Sequence, residues 1–330
     1  MKRTYDIVAI GESLIDFVQS KNSDTLLFQG NAGGAPLNVL ATACRFGAKC
    51  ACISRVGNDI FGHHLKKTYD LAGIDTDSMI FSNTENTTLA FVSINKDGDR
   101  EFSFYRNSTA DCLITKKEID LDVIEKTRVF HFGSLSMTTD CAKEATLFAI
   151  NVAKENGSII SFDPNYRPAL WESVDSAIDA IVCGCYLADI IKISDTELFL
   201  LSNLNNVIDA SWDLLNRYDC SLLIVTMGAQ GAICFSKQGL TSSSKALDVK
   251  PVDTTGAGDA FLGAFLASLL KINKSLSELN NEELELLLSI GTTCGSLSTL
   301  KYGAIPSLPS KEEVYDALPR KPKWFFHNIN

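Results

Sequence analysis

The chain reads as an α/β protein, a doubly wound and mostly parallel sheet carrying a small β-lid, and three observations predict this. Short β-branched runs occupy residues 4–10, 129–132, 159–162, 190–193 and 222–226, and near-continuous apolar strands of that kind belong to sheets covered on both faces. Helical patterns lie between them at 35–46, 141–156, 174–187 and 207–217, an alternation that produces crossover connections. Residues 87–95 and 101–106 break the rhythm, because no helix separates them and Lys96-Asp97-Gly98-Asp99 carries an Asp-Gly hairpin signal. That pair is expected to be antiparallel and to stand off the main sheet. The expected lid covers about 17–30 and 87–107 of a single domain spanning 1–330. An antiparallel edge of the main sheet is the alternative that the pattern leaves open.

Composition fits a globular chain of 330 residues, with 45% hydrophobic and 21% charged side chains. A formal net charge of -10 excludes a protein that coats nucleic acid or an anionic membrane, since both need a basic face. No run is long and apolar enough to cross a bilayer. Asp6, Glu12 and Asp16 interrupt the apolar N-terminal stretch, which therefore reads as the first strand and not as a signal peptide. Ten cysteines without an export signal point to reduced thiols in a cytoplasmic protein. The pairs Cys50/Cys52 and Cys183/Cys185 are C-x-C, no C-x-x-C occurs and there are only four histidines, so buried apolar thiols explain them better than zinc.

Chemistry concentrates in Asp253-Thr254-Thr255-Gly256-Ala257-Gly258-Asp259-Ala260-Phe261, which runs into an apolar helix over 262–270. Glycines just before a helix leave N–H groups exposed at its positive end, where an anion such as a phosphoryl group binds. Asp259 would repel that anion, so a carboxylate at this place suits a different task, taking a proton from an attacking hydroxyl. The plainer alternative is a turn followed by a helix-start charge. Gly33-Gly34-Ala35-Pro36-Leu37-Asn38 also precedes a helical pattern. Glycine permits close backbone approach to a polyol and Asn38 offers both a donor and an acceptor, although an ordinary strand-to-helix turn reads the same way. Asp16, in Gly11-Glu12-Ser13-Leu14-Ile15-Asp16, is a carboxylate at a strand end that needs a partner, and hydroxyls suit it. Thr226-Met227-Gly228-Ala229-Gln230-Gly231-Ala232 would by itself be only a hairpin.

Taken together, these segments resemble the PfkB (ribokinase-like) carbohydrate kinases, and the resemblance runs from residue 10 to about 309. Arg55-Val56-Gly57-Asn58-Asp59, with Gly62 close behind, belongs to the same pattern. The resemblance implies that Asp259 is the general base and that Gly256, Ala257 and Gly258 supply amides to the transferring phosphoryl group, with Arg167 facing it. It assigns Asp16, Gly33, Gly34 and Asn38 to the sugar, and Lys192, Thr226, Gly228 and Gly231 to the nucleotide. Glu197 matches the glutamate of the family's Asn-x-x-Glu motif, tied indirectly to magnesium, while Ser194 stands where the family has asparagine. Asp253, Thr255, Ser298, Lys301, Gly303 and Ser307 match the loops around a monovalent cation, which acts by shaping the anion site. ATP, Mg2+ and K+ are the cofactors so implied.

Three segments are similar to fructokinases in particular: Phe104-Tyr105-Arg106-Asn107-Ser108-Thr109-Ala110-Asp111, Phe130-His131-Phe132-Gly133-Ser134 and Phe162-Asp163-Pro164-Asn165-Tyr166-Arg167-Pro168-Ala169-Leu170-Trp171. This likeness brings Arg106 and Asp111 to the sugar from the lid side and implies D-fructose as acceptor. Kinases for 2-keto-3-deoxygluconate share part of the pattern and, with ribokinases, are the rival readings. A solvated strand-end charge for Arg106 and a structural ion pair for Arg167 are the plainer alternatives. Gly-x-Gly-x-x-Gly is absent after the first strand, which counts against a nicotinamide-dependent oxidoreductase, and the Walker A pattern is absent too. A sugar-binding protein of the same fold that has lost catalysis is the alternative of a different class, and intact Asp259 counts against it. A homodimer through exposed lid strands is expected.

Overall fold

The structure, a computed structural model, describes residues 3–19, 26–94 and 100–329. In chain order its strands are β1 (Tyr5–Ile10), β2 (Leu14–Gln19), β3 (Phe28–Gly33), β4 (Cys50–Gly57), β5 (Ile74–Asp75), β6 (Met79–Ser82) and β7 (Thr88–Ile94). They continue with β8 (Arg100–Tyr105), β9 (Thr127–Gly133), β10 (Ile159–Asp163), β11 (Ile190–Ser194), β12 (Leu222–Thr226), β13 (Ala232–Ser236) and β14 (Thr241–Ser244). The large sheet has the order β14-β13-β12-β11-β10-β9-β1-β4-β5, with β6 also paired to β4. It is parallel from β12 to β5 and antiparallel where β13 and β14 close one edge.

Alternation along each strand explains why both faces are covered. Ile7 and Ala9 point into one core while Val8 and Ile10 point into the other, and Leu222 and Ile224 oppose Leu223 and Val225 in the same way. The first core is completed by Leu37, Leu65, Phe265 and Leu287, from the helices Ala35–Arg45, Ile60–Leu71, Ala257–Ile272 and Asn281–Ser298. The second is completed by Ala149, Ile181, Leu198 and Leu214, from Asp140–Glu155, Val174–Leu187, Asp195–Ser202 and Val207–Tyr218. Most of the strand side chains are fully buried, as a doubly wound sheet requires. The chain end is not loose either: Phe325 is buried and packs edge-on against Phe46 at 5.7 Å. All ten cysteines are free thiols, and most are buried.

A second sheet, ordered β3-β2-β7-β8, stands apart from the first. β7 and β8 pair antiparallel as the hairpin pattern predicts, so the alternative of a main-sheet edge is excluded; the turn at 96–99 lies outside the described residues. β2 pairs antiparallel with β3 and parallel with β7. Strand pairing therefore starts at Leu14 and ends at Gly33, wider than the expected 17–30, and it places Asp16 within this small sheet. One of its faces is aromatic: Phe17 stacks on Phe91 at 5.0 Å and meets Phe61 of the main body edge-on at 5.8 Å. Ring packing of this kind holds the small sheet over the large one.

Chain order in the large sheet reverses at β1, whose successor β4 lies on one side while β9, β10, β11 and β12 follow on the other. A crevice opens at the carboxyl ends of strands flanking such a point. Asp163, Ser194 and Thr226 end their strands there, and Glu12 follows β1. Among the described residues no helix is long and apolar enough to cross a membrane.

Candidate active site

Gly256, at φ 76°, turns the chain into the helix Ala257–Ile272 without a side-chain cap. A helix start leaves N–H groups without intrahelical partners; here the Ala257 N–H donates to the Thr254 carbonyl at 3.3 Å, and Gly256, Ala257 and Gly258 line a cleft of about 550 Å³. The absence of side chains matters at two points. A Cβ on Gly256 would approach the Ala304 side chain to 2.8 Å, and one on Gly258 would approach the Lys192 ammonium to 2.8 Å.

Asp259 occupies the first turn, buried but lining the same cleft. Asn38 Nδ2 donates to its Oδ2 at 2.8 Å. Burial and the nearby Asp163 push its carboxyl up to about 6, against the pull of Asn38, Lys192 and Arg167. A carboxylate of this kind is ionised at neutral pH and still basic enough to take a proton. Arg167 lies on the exposed loop after β10, lines the cleft, and is far less buried than a structural ion pair would be.

Asp16, Gly34 and Asn38, the residues expected at the sugar, all line the cleft, and Gly33 packs behind Asp16. Asp16 is half-buried, and desolvation lifts its carboxyl to about 7 despite Arg167. Asn38 Oδ1 is buried without a protein partner, as is Glu12 Oε2. Glu12 was not singled out by the sequence pattern, yet it lines the cleft and its Oε1 accepts the Ala35 N–H at 2.8 Å. Its burial pushes it up to about 7. Buried orphan acceptors beside a cleft are suited to hydroxyl donors.

Arg106 and Asp111 are brought together, and neither is among the residues lining the cleft, although cleft-lining Glu12 feels both charges. Arg106 Nε donates to Asp111 Oδ2 at 2.7 Å, Nη2 to the Leu135 carbonyl at 2.8 Å and Nη1 to Thr138 Oγ1 at 2.7 Å. Both side chains are almost fully buried, so Arg106 is not a solvated strand-end charge. Leu135 and Phe104 are what this network presents to the cleft. An arginine at a strand end gives no sequence signal of where its carboxylate partner will lie.

The residues expected at the nucleotide gather around Thr226. Lys192 Nζ donates to Asp163 Oδ2 at 2.7 Å, and Asp163, Lys192, Ser194, Glu197 and Thr226 all line the cleft. Glu197 Oε1 accepts the Tyr166 N–H at 2.7 Å, and its Oε2 accepts from the Ser194 N–H and hydroxyl at 2.8 Å each. Ser194 thus serves as the N-cap of Asp195–Ser202, in a capping box with Glu197. A second cavity of about 340 Å³ adjoins, sharing Thr226, Thr254, Ala257 and Gly258; Gly228, Gly231, Val249, Pro251 and Phe261 give it a mostly apolar wall. Asp163 was missed as a site residue, although a carboxylate closing an apolar parallel strand was the available signal.

The loops expected around a monovalent cation do converge in part. Asp253 accepts the Thr255 N–H at 2.7 Å and the Gly303 N–H at 3.0 Å, one on each carboxylate oxygen. Ser298 and Ser307 hydroxyls are buried and donate to Gly295 and Ala304 carbonyls. Lys301 is exposed and, with Ser307, lines a separate cavity of about 350 Å³.

A glycine-rich helix start with a buried carboxylate on its first turn, lining a polar cleft that adjoins a mostly apolar cavity, suits transfer of a phosphoryl group between two small molecules. That places the molecule among small-molecule kinases of the ribokinase-like fold. The chain belongs to the pfkB family of carbohydrate kinases, whose sequence profile matches residues 4–311. It is 39% identical over 316 residues to Fructokinase-2 of Solanum habrochaites, covering 94% of this chain and 95% of that protein. It superposes on fructokinase of Xylella fastidiosa with bound ATP at a TM-score of 0.86 and 30% identity, covering 94% and 97% of the two chains. A double-mutant fructokinase of Vibrio cholerae O395, in a form with fructose, ADP and potassium ion bound, matches at a TM-score of 0.86 and 27% identity, covering 96% of this chain and 100% of that one.

Proposed function

We propose that the protein transfers the γ-phosphoryl group of ATP to the primary hydroxyl of D-fructose, forming fructose 6-phosphate and ADP. The observation that carries this is Asp259, a buried carboxylate held by Asn38 at the uncapped start of a helix where both cavities meet. Asp259 takes the hydroxyl proton as the oxygen attacks in line. Amides of Gly256, Ala257 and Gly258 receive the equatorial phosphoryl oxygens, and Lys192 and Arg167 neutralise the charge that spreads over them. Asp16, Asn38 and the glycines at 33 and 34 orient the sugar, while Thr226, Gly228 and Gly231 hold the nucleoside. Arg106 and Asp111 serve the sugar indirectly, by fixing Leu135 and the end of β8.

Glu197 and the phosphates suit magnesium, a hard cation that prefers oxygen ligands and keeps several waters. Its chemistry is charge neutralisation on the phosphate oxygens. The Asp253 carboxylate, already tying loop 253–255 to Gly303, fits a monovalent cation whose field stiffens the anion site. The choice of fructose over other sugars is supported by the segments around Arg106, His131 and Arg167 and by similarity to fructokinases. Edge strands β3 and β8 of the small sheet, each paired on one side, support a homodimer formed through the lid.

A coupled ADP-release assay across fructose, ribose, 2-keto-3-deoxygluconate, glucose and adenosine tests the reading. Fructose is expected to give the highest kcat/KM. A higher value for 2-keto-3-deoxygluconate would overturn the choice of sugar and leave the kinase assignment standing.

A further inference from the structure

Asp163 is the last residue of β10 and 3% exposed; it lies in the segment that carries Arg167, but the sequence pattern assigned it no role. Its Oδ1 accepts the Asn165 N–H at 3.1 Å and its Oδ2 the Lys192 ammonium at 2.7 Å. β10 and β11 are neighbouring parallel strands, so a short and a long side chain leaving their carboxyl ends meet at the cleft floor. The ammonium is then placed against Gly258, at the helix start that receives the phosphoryl group. Burying one charge here without the other would be strongly unfavourable.

We propose that Asp163 is a positioning residue of the phosphoryl-transfer site: it holds the Lys192 ammonium against Gly258 and sets the electrostatic field in which Asp259 works as a base. This rests on the kinase reading above. Burial disfavours the charge of Lys192, but Asp163, with Glu197 and Asp259, holds its proton more tightly than in a free lysine. The same carboxylate raises the proton affinity of Asp259. Other charged groups facing this cluster are Arg167 from the loop after β10, Asp16 from β2 and Glu197 from the helix Asp195–Ser202. His131 on β9 is also close, and burial lowers it to about 4, so it is neutral at working pH. Asp163 is therefore the anionic partner that both groups feel.

Removing that charge acts on both groups in one direction. In Asp163→Asn, Asp259 loses a repelling neighbour and ionises at lower pH, while Lys192 loses the partner that keeps its proton. Both limbs of the kcat–pH profile are expected to move towards acid by about half to one unit, with a plateau about tenfold lower or more. Limbs in their wild-type positions, with only a lower melting temperature, would reduce the pair to a strut and overturn the inference. Asp163→Glu keeps the charge but displaces it; it is expected to lose plateau rate with limbs in place, and it is the variant read if Asp163→Asn does not fold. Wild-type limbs and plateau in Asp163→Glu would likewise overturn the inference.

ATP binding measured without sugar separates this inference from the substrate reading. Wild-type affinity is expected to be nearly flat from pH 7 to 10, whereas Asp163→Asn loses about two- to fourfold as Lys192 discharges, with adenosine affinity equal in both proteins. That loss in Asp163→Asn, beside a wild type that phosphorylates no sugar, would sink the proposed reaction and sustain the role of Asp163. An unshifted ATP affinity together with unshifted limbs, in a wild type active on fructose, would do the reverse.

Discussion

Asn38 donates its side-chain amide to Asp259 at 2.8 Å across 221 residues of sequence, joining the helix after the glycine pair to the helix that starts at Gly256. One glycine-rich helix start thus orients the carboxylate of the other. If Asp259 is the base, Asp259→Asn preserves the shape and the hydrogen bond from Asn38 but removes the proton acceptor. Turnover is expected to fall about 10²- to 10⁴-fold with sugar and ATP binding retained. A folded Asp259→Asn enzyme with near-normal kcat would end this assignment.

The same contact sets an acid limb. With the Asp259 carboxyl at about 6, kcat is expected to decline below that pH, close to tenfold per unit. Asn38→Ala removes a donor that favours the charged form, so its limb should move to higher pH. Steady-state rates from pH 5 to 8 on the two proteins check this, and a limb that moves to lower pH would contradict it.

Stability carries an opposite sign from activity. Folded Asp259 binds its proton more tightly than the ordinary value of 3.8 for the unfolded chain. Its contribution is therefore favourable below about pH 4 and is lost as pH rises through about 6. At pH 8, Asp259→Asn should be more resistant to urea than wild type by about 1–3 kcal/mol, and the difference should vanish near pH 4. A variant less stable at pH 8 would mean that the carboxylate is a structural cap.

The lid network predicts a different phenotype. Asp111→Asn leaves Arg106 charged and buried, which lowers stability by roughly 3–5 kcal/mol. In whatever fraction stays folded, KM for the sugar should rise more than kcat falls, because Leu135 and β8 lose their anchor. Nucleotide affinity, measured by titration calorimetry, should not change.

Cation dependence follows from Asp253. Rates should be higher in potassium than in a bulky organic cation at equal ionic strength, and Asp253→Asn should abolish the difference. Equal rates in both salts for the wild type would remove the cation site.

Read as sequence, the chain determined its fold class and the position of the first-turn carboxylate proposed as its base. Apolar runs that alternate between two faces suit a sheet buried on both sides, and each of the five runs read from the pattern, 4–10, 129–132, 159–162, 190–193 and 222–226, appears as a strand of it, whereas the strand Cys50–Gly57 was not foreseen. Gly256 and Asp259 were equally legible, because a helix start and its first-turn carboxylate are neighbours along the chain. Contacts between distant segments were not. Nothing local says that Asn38 reaches Asp259, that Asp163 holds Lys192, or that Arg106 turns to Asp111 and leaves the cleft to Phe104 and Leu135. The buried positions of Glu12 and Asp163 were also decided only by the tertiary structure, and with them the shifts of Glu12 and Asp259. The physical reason is that backbone propensity and side-chain periodicity act over a few residues, whereas burial and charge pairing depend on which strands the topology makes neighbours.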